Sequence, residues 1–209
     1  MHLDGNLPAM FQVLIFLAAA MLAGVLVLVS LYGFARKKRW AKMTVALLMG
    51  EVGVYLLLLA GFSIFSRQQI LARGEEKYFC EIDCHLAYSI AAARWIADGP
   101  GRELEVTVRT RFDPSTISPR RPKDAPLSPS PRNVVLLDGE GHSWTPSRIE
   151  GTPLTRELIP GESYTTTLMF PVTQEASNLR LSITSEGGPL PLLIGNEMSV
   201  GHKKTYLRL

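Results

Sequence analysis

The 209-residue chain contains few of the side chains that carry most enzyme chemistry, with only two cysteines and four histidines. Its residues form no Ser-His-Asp signature, glycine-rich phosphate loop or zinc-binding spacing. Residues 67–209 also lack a net charge, because they contain 17 basic and 17 acidic residues, so they offer no basic surface for nucleic acid. These absences favour a protein that is not an enzyme, needs no cofactor and binds no nucleic acid.

Charged residues are almost missing from two long stretches near the N-terminus. Residues 11–35 contain none, and residues 43–65 contain only Glu51. About 20 apolar residues in a helix are enough to cross the ~30 Å hydrocarbon core of a bilayer. The first stretch is too long for a cleaved signal peptide, and the segment before it, residues 1–10, has no basic residue. The sequence therefore predicts two transmembrane helices, with the lipid bilayer as a partner.

The distribution of basic residues predicts the orientation of these helices. The short loop 36–42 carries Arg36, Lys37, Lys38, Arg39 and Lys42. Loops rich in lysine and arginine stay on the cytoplasmic side. We therefore expect a plasma (inner) membrane protein with a cytoplasmic loop at 36–42. Residues 1–10 and everything after residue 65 are expected to be extracytoplasmic.

Beyond a connector at residues 66–79, the hydrophobic period changes from helical to alternating. In residues 103–112 the apolar side chains Leu104, Val106 and Val108 alternate with polar ones, as in a half-buried strand. The Asp-Gly pair at 138–139 is a hairpin signal. Other strands are predicted at 78–90, 133–138, 160–172, 178–186, 190–195 and 202–209, and residues 91–99 are expected to be a strand or, alternatively, a helical turn. The pattern predicts an antiparallel, immunoglobulin-like β-sandwich of about seven strands over residues 80–209.

A proline-rich stretch interrupts this rhythm. Residues 113–131 contain six of the chain's 14 prolines. Proline cannot donate to a β-ladder and favours extended, solvated backbone. We expect a long exposed loop, which is either a tolerated insertion or an arm that binds a partner.

Both cysteines lie in the segment "YFCEIDCHLAYS", residues 78–89. If this segment is a regular strand, Cys80 and Cys84 share its apolar face, and their Cα atoms are about 13 Å apart at ~3.3 Å per residue. A disulfide requires a separation below about 7 Å. The cysteines are then buried free thiols. A bulge between them would restore the disulfide, which an extracytoplasmic location favours.

A metal site is the third interpretation of this segment. Cys80, Cys84 and His85 could bind copper. A second candidate uses the oxygen and nitrogen ligands on the opposite face of the strand, Glu81, Asp83 and His85, for a divalent cation. These side chains could equally form the solvated face of an edge strand. The other candidate histidines, His142 and His202, stand alone and are expected on the surface.

The layout of two helices followed by an extracytoplasmic β-domain resembles cytochrome oxidase subunit II. That family binds a dinuclear copper centre with Cys-x3-Cys, a histidine four residues later and a methionine three residues further. Here Tyr88 and Ala91 stand at those two positions, so the topology is similar and the copper ligands do not match. The segment from Cys80 to His85 also resembles the Cys-x3-Cys-Pro motif of copper chaperones, but here His85 stands where that motif has proline.

Glu51 is the one carboxyl inside the predicted spans. Burying it near the centre of a span costs about 2.5–3.5 kcal/mol on insertion scales, so it is a candidate for function. Gly50 and Gly53 flank it and would let another helix approach. Glu51 is therefore predicted to make an intramembrane polar contact. Ala20 and Gly24 form a second small-residue seam in the first span.

Residues 80–209 resemble the Ig-like domains of membrane-anchored bacterial surface proteins. The resemblance rests on the opening strand, the "DGEG" hairpin, "LIPGESYTTTLMFPV" and the closing "TYLRL". It implies a fold and a location, and it implies no activity. The sequence thus predicts a non-catalytic binding, scaffolding or accessory subunit of a membrane complex, partnered by another membrane or extracytoplasmic protein. The alternative is a copper-handling or electron-transfer subunit that uses the Cys-x3-Cys-His cluster.

Overall fold

The computed structural model describes residues 2–3, 9–79, 85–98, 101–117, 122–173, 176–186 and 190–209. Two long helices come first, α1 at Ala9–Ala35 and α2 at Ala41–Phe65, as predicted. Each is long and apolar enough to cross a membrane, and only 6% of the residues in its most apolar stretch are buried. Helices exposed to this degree are not the core of a soluble fold. Their length and composition indicate membrane anchoring.

The helices pack side by side through one stripe of each. The side chains of α1 that are not exposed recur every three or four residues, a spacing typical of near-antiparallel helix pairs; they are Gln12, Phe16, Ala19, Ala23, Leu26, Ser30 and Gly33. Near the connecting loop, Ser30 Oγ lies 2.8 Å from Thr44 Oγ1. A Cβ added at Gly33 would lie 2.8 Å from the Trp40 ring and 2.9 Å from Ala41 Cβ. The absence of a side chain at Gly33 therefore permits this close approach.

The described residues divide into two compact units. One consists of α1, α2 and residues 190–202. The other contains all the strands, and we call it the β-domain. Residues 190–202 follow the tenth strand in the sequence and nevertheless belong to the helical unit. The sequence predicted a strand at 190–195, and this was wrong, because residues 190–192 form a single 3-10 turn and the residues after it form further turns.

Eleven strands occur within the described residues, rather than about seven. Their bounds are β1 His2–Leu3, β2 Gln69–Leu71, β3 Lys77–Phe79, β4 Leu86–Asp98, β5 Gly101–Phe112, β6 Arg132–Leu137, β7 Ser143–Trp144, β8 Arg148–Gly151, β9 Ser163–Phe170, β10 Arg180–Ser185 and β11 Thr205–Arg208. They form a six-stranded sheet in the order β1-β3-β4-β5-β9-β8 and a five-stranded sheet in the order β2-β11-β10-β6-β7. Most pairs are antiparallel, and β1–β3 and β2–β11 are parallel.

One hydrophobic core takes side chains from both sheets. On β5 the alternating residues Leu104, Val106 and Val108 are at most 3% exposed, as the sequence predicted. On β10, Leu181 and Ile183 both face this core and are fully buried. The arrangement is consistent with the predicted sandwich.

The hairpin predicted from Asp138-Gly139 is present. β6 and β7 are antiparallel, with Leu136 opposite Trp144. Gly141 within the turn has φ near +95°, a value that glycine adopts without the penalty paid by residues with a Cβ. The strand predicted at 91–99 is also present, as the second half of β4.

The predicted continuous strand over 78–90 is wrong. β3 ends at Phe79, and Phe79 pairs with Leu86 of β4 in an antiparallel register. The chain therefore reverses its direction between these two residues. Alternation of apolar and polar residues could not distinguish one long strand from two strands of a hairpin, because both show the same period. The connector predicted at 66–79 also contains strands, β2 and β3.

The proline-rich stretch 113–131 is largely exposed where it is described. Its middle is fixed to the β-domain, because Leu127 and Leu158 exchange two backbone hydrogen bonds of 2.8 and 3.0 Å and the Ser128 hydroxyl donates to Glu157. Its beginning is a 3-10 turn at Pro114–Thr116. The segment is thus a loop that begins in local structure and has an anchored middle.

Candidate functional site

Cys80, Glu81, Asp83 and Cys84 lie outside the described residues. The disulfide, the copper site and the divalent-cation site that involve them therefore stay predictions, and the structure lends the disulfide no support. The separation of about 13 Å expected for Cys80 and Cys84 in a continuous strand does not apply to a hairpin. The flanking residues Phe79 and Leu86 are instead partners across a hairpin.

His85 is fully buried, so its predicted place on a solvated face is wrong. Its ring stacks on Phe112 with centroids 5.3 Å apart, and its Nδ1 lies 2.6 Å from Thr116 Oγ1. The backbone oxygen of His85 accepts a hydrogen bond from the N–H of Asp113. These contacts place His85 where the proline-rich stretch begins, and they count against Nδ1 as a metal ligand.

A group of interacting polar side chains lies beside His85, and we call it the Arg111 cluster; it consists of Glu76, Tyr78, Arg111 and Asp113. Arg111 donates to both carboxylate oxygens of Glu76 at 2.7 and 2.6 Å and to Asp113 Oδ2 at 3.1 Å. Tyr78 donates to Asp113 Oδ2 at 2.5 Å. Arg111 thereby links β5 to Glu76, the residue before β3, and Tyr78 links β3 to Asp113, the residue after β5.

The cluster shifts the pKa values of its members. The hydrogen bond from Arg111 lowers the pKa of Glu76. Burial alone would raise the pKa of Asp113, but hydrogen bonds from Tyr78, Ser115 and Arg111 outweigh burial and hold it well below its usual range. Burial, together with the neighbouring carboxylates, raises the pKa of the Tyr78 hydroxyl. Both carboxyls are therefore charged at neutral pH, and Tyr78 is neutral.

Asp113 also caps the turn that follows it. Its Oδ1 accepts from the backbone N–H of Ser115 at 2.9 Å and from the Ser115 hydroxyl at 2.7 Å. This is the usual way in which an aspartate starts a helical turn.

All four charged or polar groups of the Arg111 cluster have partners, which is typical of a structural network rather than of a reactive site. The sequence interpretation missed this cluster because its members are up to 37 positions apart.

Lys77 is another buried charged residue that the sequence did not reveal. It is 0% exposed although lysine is rarely buried. Its Nζ donates to the backbone oxygens of Ile183 at 2.7 Å and Thr205 at 3.3 Å, and it lies 4.9 Å from the centre of the Phe79 ring. Lys77 thus links β3 to two strands of the other sheet.

His142 lies in the β6–β7 turn beside Asp138 and Glu140. Its Nδ1 is 2.9 Å from Asp138 Oδ2, and the hydrogen bond to Asp138 raises the pKa of His142. Asp138 Oδ1 also accepts the backbone N–H groups of Glu140 and His142. Asp138, Glu140 and His142 are close enough to hold a metal ion, but the hydrogen bonds show that Asp138 organises the turn. The His142 side chain is 66% exposed, as predicted, whereas His202 is only partly exposed.

Glu51 lies within the stripe of α2 that faces α1. One of its carboxyl oxygens, Oε2, is buried and has no hydrogen-bond partner within the described residues. A hollow of about 170 Å³ lies next to Glu51; it is lined by Phe16, Ala19, Ala20, Ala23, Glu51, Val52, Tyr55 and Leu56. Apart from the Glu51 carboxyl, the one polar side-chain group in this lining is the Tyr55 hydroxyl, which donates to the Leu192 carbonyl at 2.6 Å. The predicted seam holds in part, because Ala20 lines the hollow, whereas Gly24 is exposed with no atom near its missing side chain.

A larger groove of about 680 Å³ lies in the β-domain. Apolar side chains of both sheets line it, including Trp95, Leu104 and Leu179, and arginines 94, 180 and 208 also contribute. Its walls include residues of β2, β4, β5, β10 and β11, which together extend over most of the β-domain sequence. No spacing rule could have predicted it.

No protein-family model matches this chain, and no curated protein is similar to it. Among solved structures, the crystal structure of a secreted protein from Mycobacterium tuberculosis, MPT63, is similar at 10% sequence identity with a TM-score of 0.40. The similarity covers 68% of this chain and 98% of that chain. At this identity and this TM-score the likeness supports no conclusion about fold or function.

Proposed function

We propose that this protein is a non-catalytic accessory subunit of a membrane complex. In this proposal its two helices bind a transmembrane helix of another protein, and its Ig-like β-sandwich is extracytoplasmic and binds or scaffolds a partner there. The basic loop 36–42 supports this orientation. The observation that carries the proposal is the buried Oε2 of Glu51, which has no donor within the described residues.

A carboxyl oxygen without a partner is costly in hydrocarbon, where no water can satisfy it. Four other polar side chains of α1 and α2 bond elsewhere: Gln12 and Tyr55 bond to residues 190–202, and Ser30 and Thr44 bond to each other. A second copy of this chain would bring another carboxyl to the same depth, and two carboxyls bind each other only when one of them holds a proton. We therefore infer that the donor belongs to a different protein, on a helix with a lysine, arginine, asparagine or glutamine at that depth.

The hollow beside Glu51 provides the space for this contact. Three alanines form part of its wall, and small residues are enriched where membrane helices approach closely. Val52 and Leu56, which also line it, are 40% and 53% exposed. The hollow can therefore be reached from the lipid side of the helix pair.

Photocrosslinking in native membranes tests the proposal. A photoreactive residue in place of Val52 should crosslink to one membrane protein, and mass spectrometry should place the crosslink in an apolar span that contains a hydrogen-bond donor. Glu51→Leu should reduce the yield of this crosslink at least tenfold. Gly24→Leu, at an exposed position of α1, should leave it unchanged. Crosslinks to lipid alone, or a yield that Glu51→Leu does not alter, would contradict the proposal.

The copper-handling alternative rests on Cys80, Cys84 and His85. Only His85 is among the described residues, and its Nδ1 is engaged by Thr116. Metal analysis of the detergent-solubilised protein distinguishes the two proposals. Stoichiometric copper that disappears in a Cys80→Ser, Cys84→Ser double variant would favour the alternative.

A further inference from the structure

Residues 190–202 connect β10 to β11 along the sequence, yet they form one compact unit with α1 and α2. We call them the docked segment. Most of it has no regular secondary structure beyond the 3-10 turn at Leu190–Leu192. Its sequence, "LPLLIGNEMSVGH", begins with seven residues that carry no charge.

Specific polar contacts attach the docked segment to both helices. The side-chain amide of Gln12 on α1 donates to the Gly195 carbonyl at 3.2 Å, and its oxygen accepts from Asn196 Nδ2 at 2.8 Å. Tyr55 on α2 donates to the Leu192 carbonyl at 2.6 Å. Gln12 and Asn196 are at most 8% exposed. The attachment is thus a built contact rather than a loose surface encounter.

The contact with Tyr55 gives the depth of the segment. Tyr55 lies ten residues before Phe65, the last residue of α2, which corresponds to about 15 Å along the helix axis. A tyrosine side chain with one hydrogen bond is shorter than this distance. The Leu192 carbonyl therefore lies deeper than Phe65, that is, closer to the middle of the span than the end of α2 is.

The backbone of the docked segment is suited to this depth. Irregular backbone at membrane level requires that its polar groups be satisfied without water. Six of its carbonyls accept hydrogen bonds from the protein: those of Pro191, Leu192, Leu193, Gly195, Asn196 and Ser199. The side chain of Asn196 adds one more, because its Oδ1 accepts the N–H of Met198 at 2.8 Å.

The side chains of the segment divide into two groups. Leu193 and Ile194 are buried, at 4% and 2% exposed. Leu192 and Val200 are 46% and 66% exposed. Two exposed branched apolar side chains therefore lie on a segment in which six backbone carbonyls accept hydrogen bonds from the protein. They belong to the same compact unit as α1 and α2, whose apolar side chains are largely exposed.

We propose that the docked segment lies in the bilayer, in the leaflet at the helix ends opposite loop 36–42, with Leu192 and Val200 in contact with lipid acyl chains. Lipid is the occupant that the observations favour, because these exposed apolar side chains belong to the same compact unit as two helices that are long and apolar enough to cross a membrane. The inference does not depend on the Glu51 partner, since it needs only the helices and their bilayer.

Photocrosslinking to lipid tests this inference. The full-length protein would carry p-benzoylphenylalanine in place of Leu192 or of Val200, in vesicles of phosphatidylcholine. Intact-mass spectrometry after irradiation would measure the fraction with a covalent phospholipid. Two matched positions calibrate the result: Leu57, 74% exposed within α2, and Ile149, 55% exposed on β8. A thermal melt of each labelled protein in detergent checks that it is folded.

We expect lipid adducts at 192 and 200 within about twofold of the yield at 57 and at least fivefold above the yield at 149. Yields at 192 and 200 equal to that at 149, with a high yield at 57, would overturn the inference. Crosslinks to protein instead of lipid at 192 and 200 in native membranes would also overturn the inference. A label that unfolds the protein would be moved to the neighbouring Met198, which is partly exposed, and the same comparison applies.

Discussion

The hydroxyl of Tyr78 on β3 donates a 2.5 Å hydrogen bond to Oδ2 of Asp113, the residue that follows β5. The same hydroxyl accepts a hydrogen bond from Arg111 at 2.9 Å. It therefore lies between a cation and an anion, and it connects the first part of the β-domain to the start of the proline-rich loop. Because Tyr78 is 7% exposed, this link is shielded from water and should contribute to stability.

Tyr78→Phe removes the hydroxyl and keeps the ring. Hydrogen bonds to charged groups contribute about 1.5–3 kcal/mol, so we expect the β-domain to lose about 2 kcal/mol of unfolding free energy. Urea unfolding of the detergent-solubilised protein, followed by near-ultraviolet circular dichroism, measures this loss. Tyr206→Phe is the matched control, because the Tyr206 hydroxyl has no hydrogen bond within the described residues. Equal losses in the two variants would show that the link contributes nothing.

Acid should destabilise the β-domain through the Arg111 cluster. The pKa values of Glu76 and Asp113 are lowered from ordinary values of 4.5 and 3.8, so below these values the unfolded chain binds more protons than the folded one. The stability from both carboxylates is complete above about pH 5 and is lost as the pH falls. Asp113→Asn should flatten the decline between pH 5 and pH 3 in urea unfolding, whereas Asp124→Asn, at an exposed position, should not. An unchanged slope in Asp113→Asn would refute this assignment.

The His142–Asp138 pair should titrate as a unit. The hydrogen bond to Asp138 raises the pKa of His142 above its ordinary value of 6.5, so its contribution to stability is present at acid pH and is lost as the pH rises through the folded pKa. Histidine-selective NMR of the full-length protein in micelles should show this raised value. Asp138→Asn keeps an oxygen for the backbone N–H groups of the turn and removes the charge, so the pKa of His142 should fall. A value that does not change would mean that the pair is not formed in solution.

The membrane helices and most long strands were predictable because their signals are local. Twenty or more apolar residues determine a span regardless of their neighbours, and the alternation of Leu104, Val106 and Val108 is a property of one strand. The turn at Asp138-Gly139 has its own residue chemistry. These elements therefore follow from short stretches of sequence.

The errors share a different cause, which is that tertiary contacts decided the outcome. Residues 190–195 have the composition of a strand, but contacts with Gln12 and Tyr55 hold them on the helices as turns. His85 has the spacing of a solvated residue, but the hairpin between β3 and β4 places its ring against Phe112. The candidate site was predictable only in part for the same reason. Glu51 could be identified from its charge within a span, whereas the Arg111 cluster depends on strand pairing.

The two glycines of α1 provide a matched test of the helix pair. A Cβ at Gly33 would lie 2.8 Å from the Trp40 ring and 2.9 Å from Ala41 Cβ, whereas a Cβ at Gly24 would meet no atom within 4 Å. Overpacking a close contact typically costs about 1–3 kcal/mol. We therefore expect Gly33→Leu to lower the melting temperature of the helical unit in detergent, followed by far-ultraviolet circular dichroism. Gly24→Leu should leave it unchanged or raise it slightly, because leucine favours helix more than glycine does. If both variants melt at the same temperature, Gly33 does not determine how closely the helices approach.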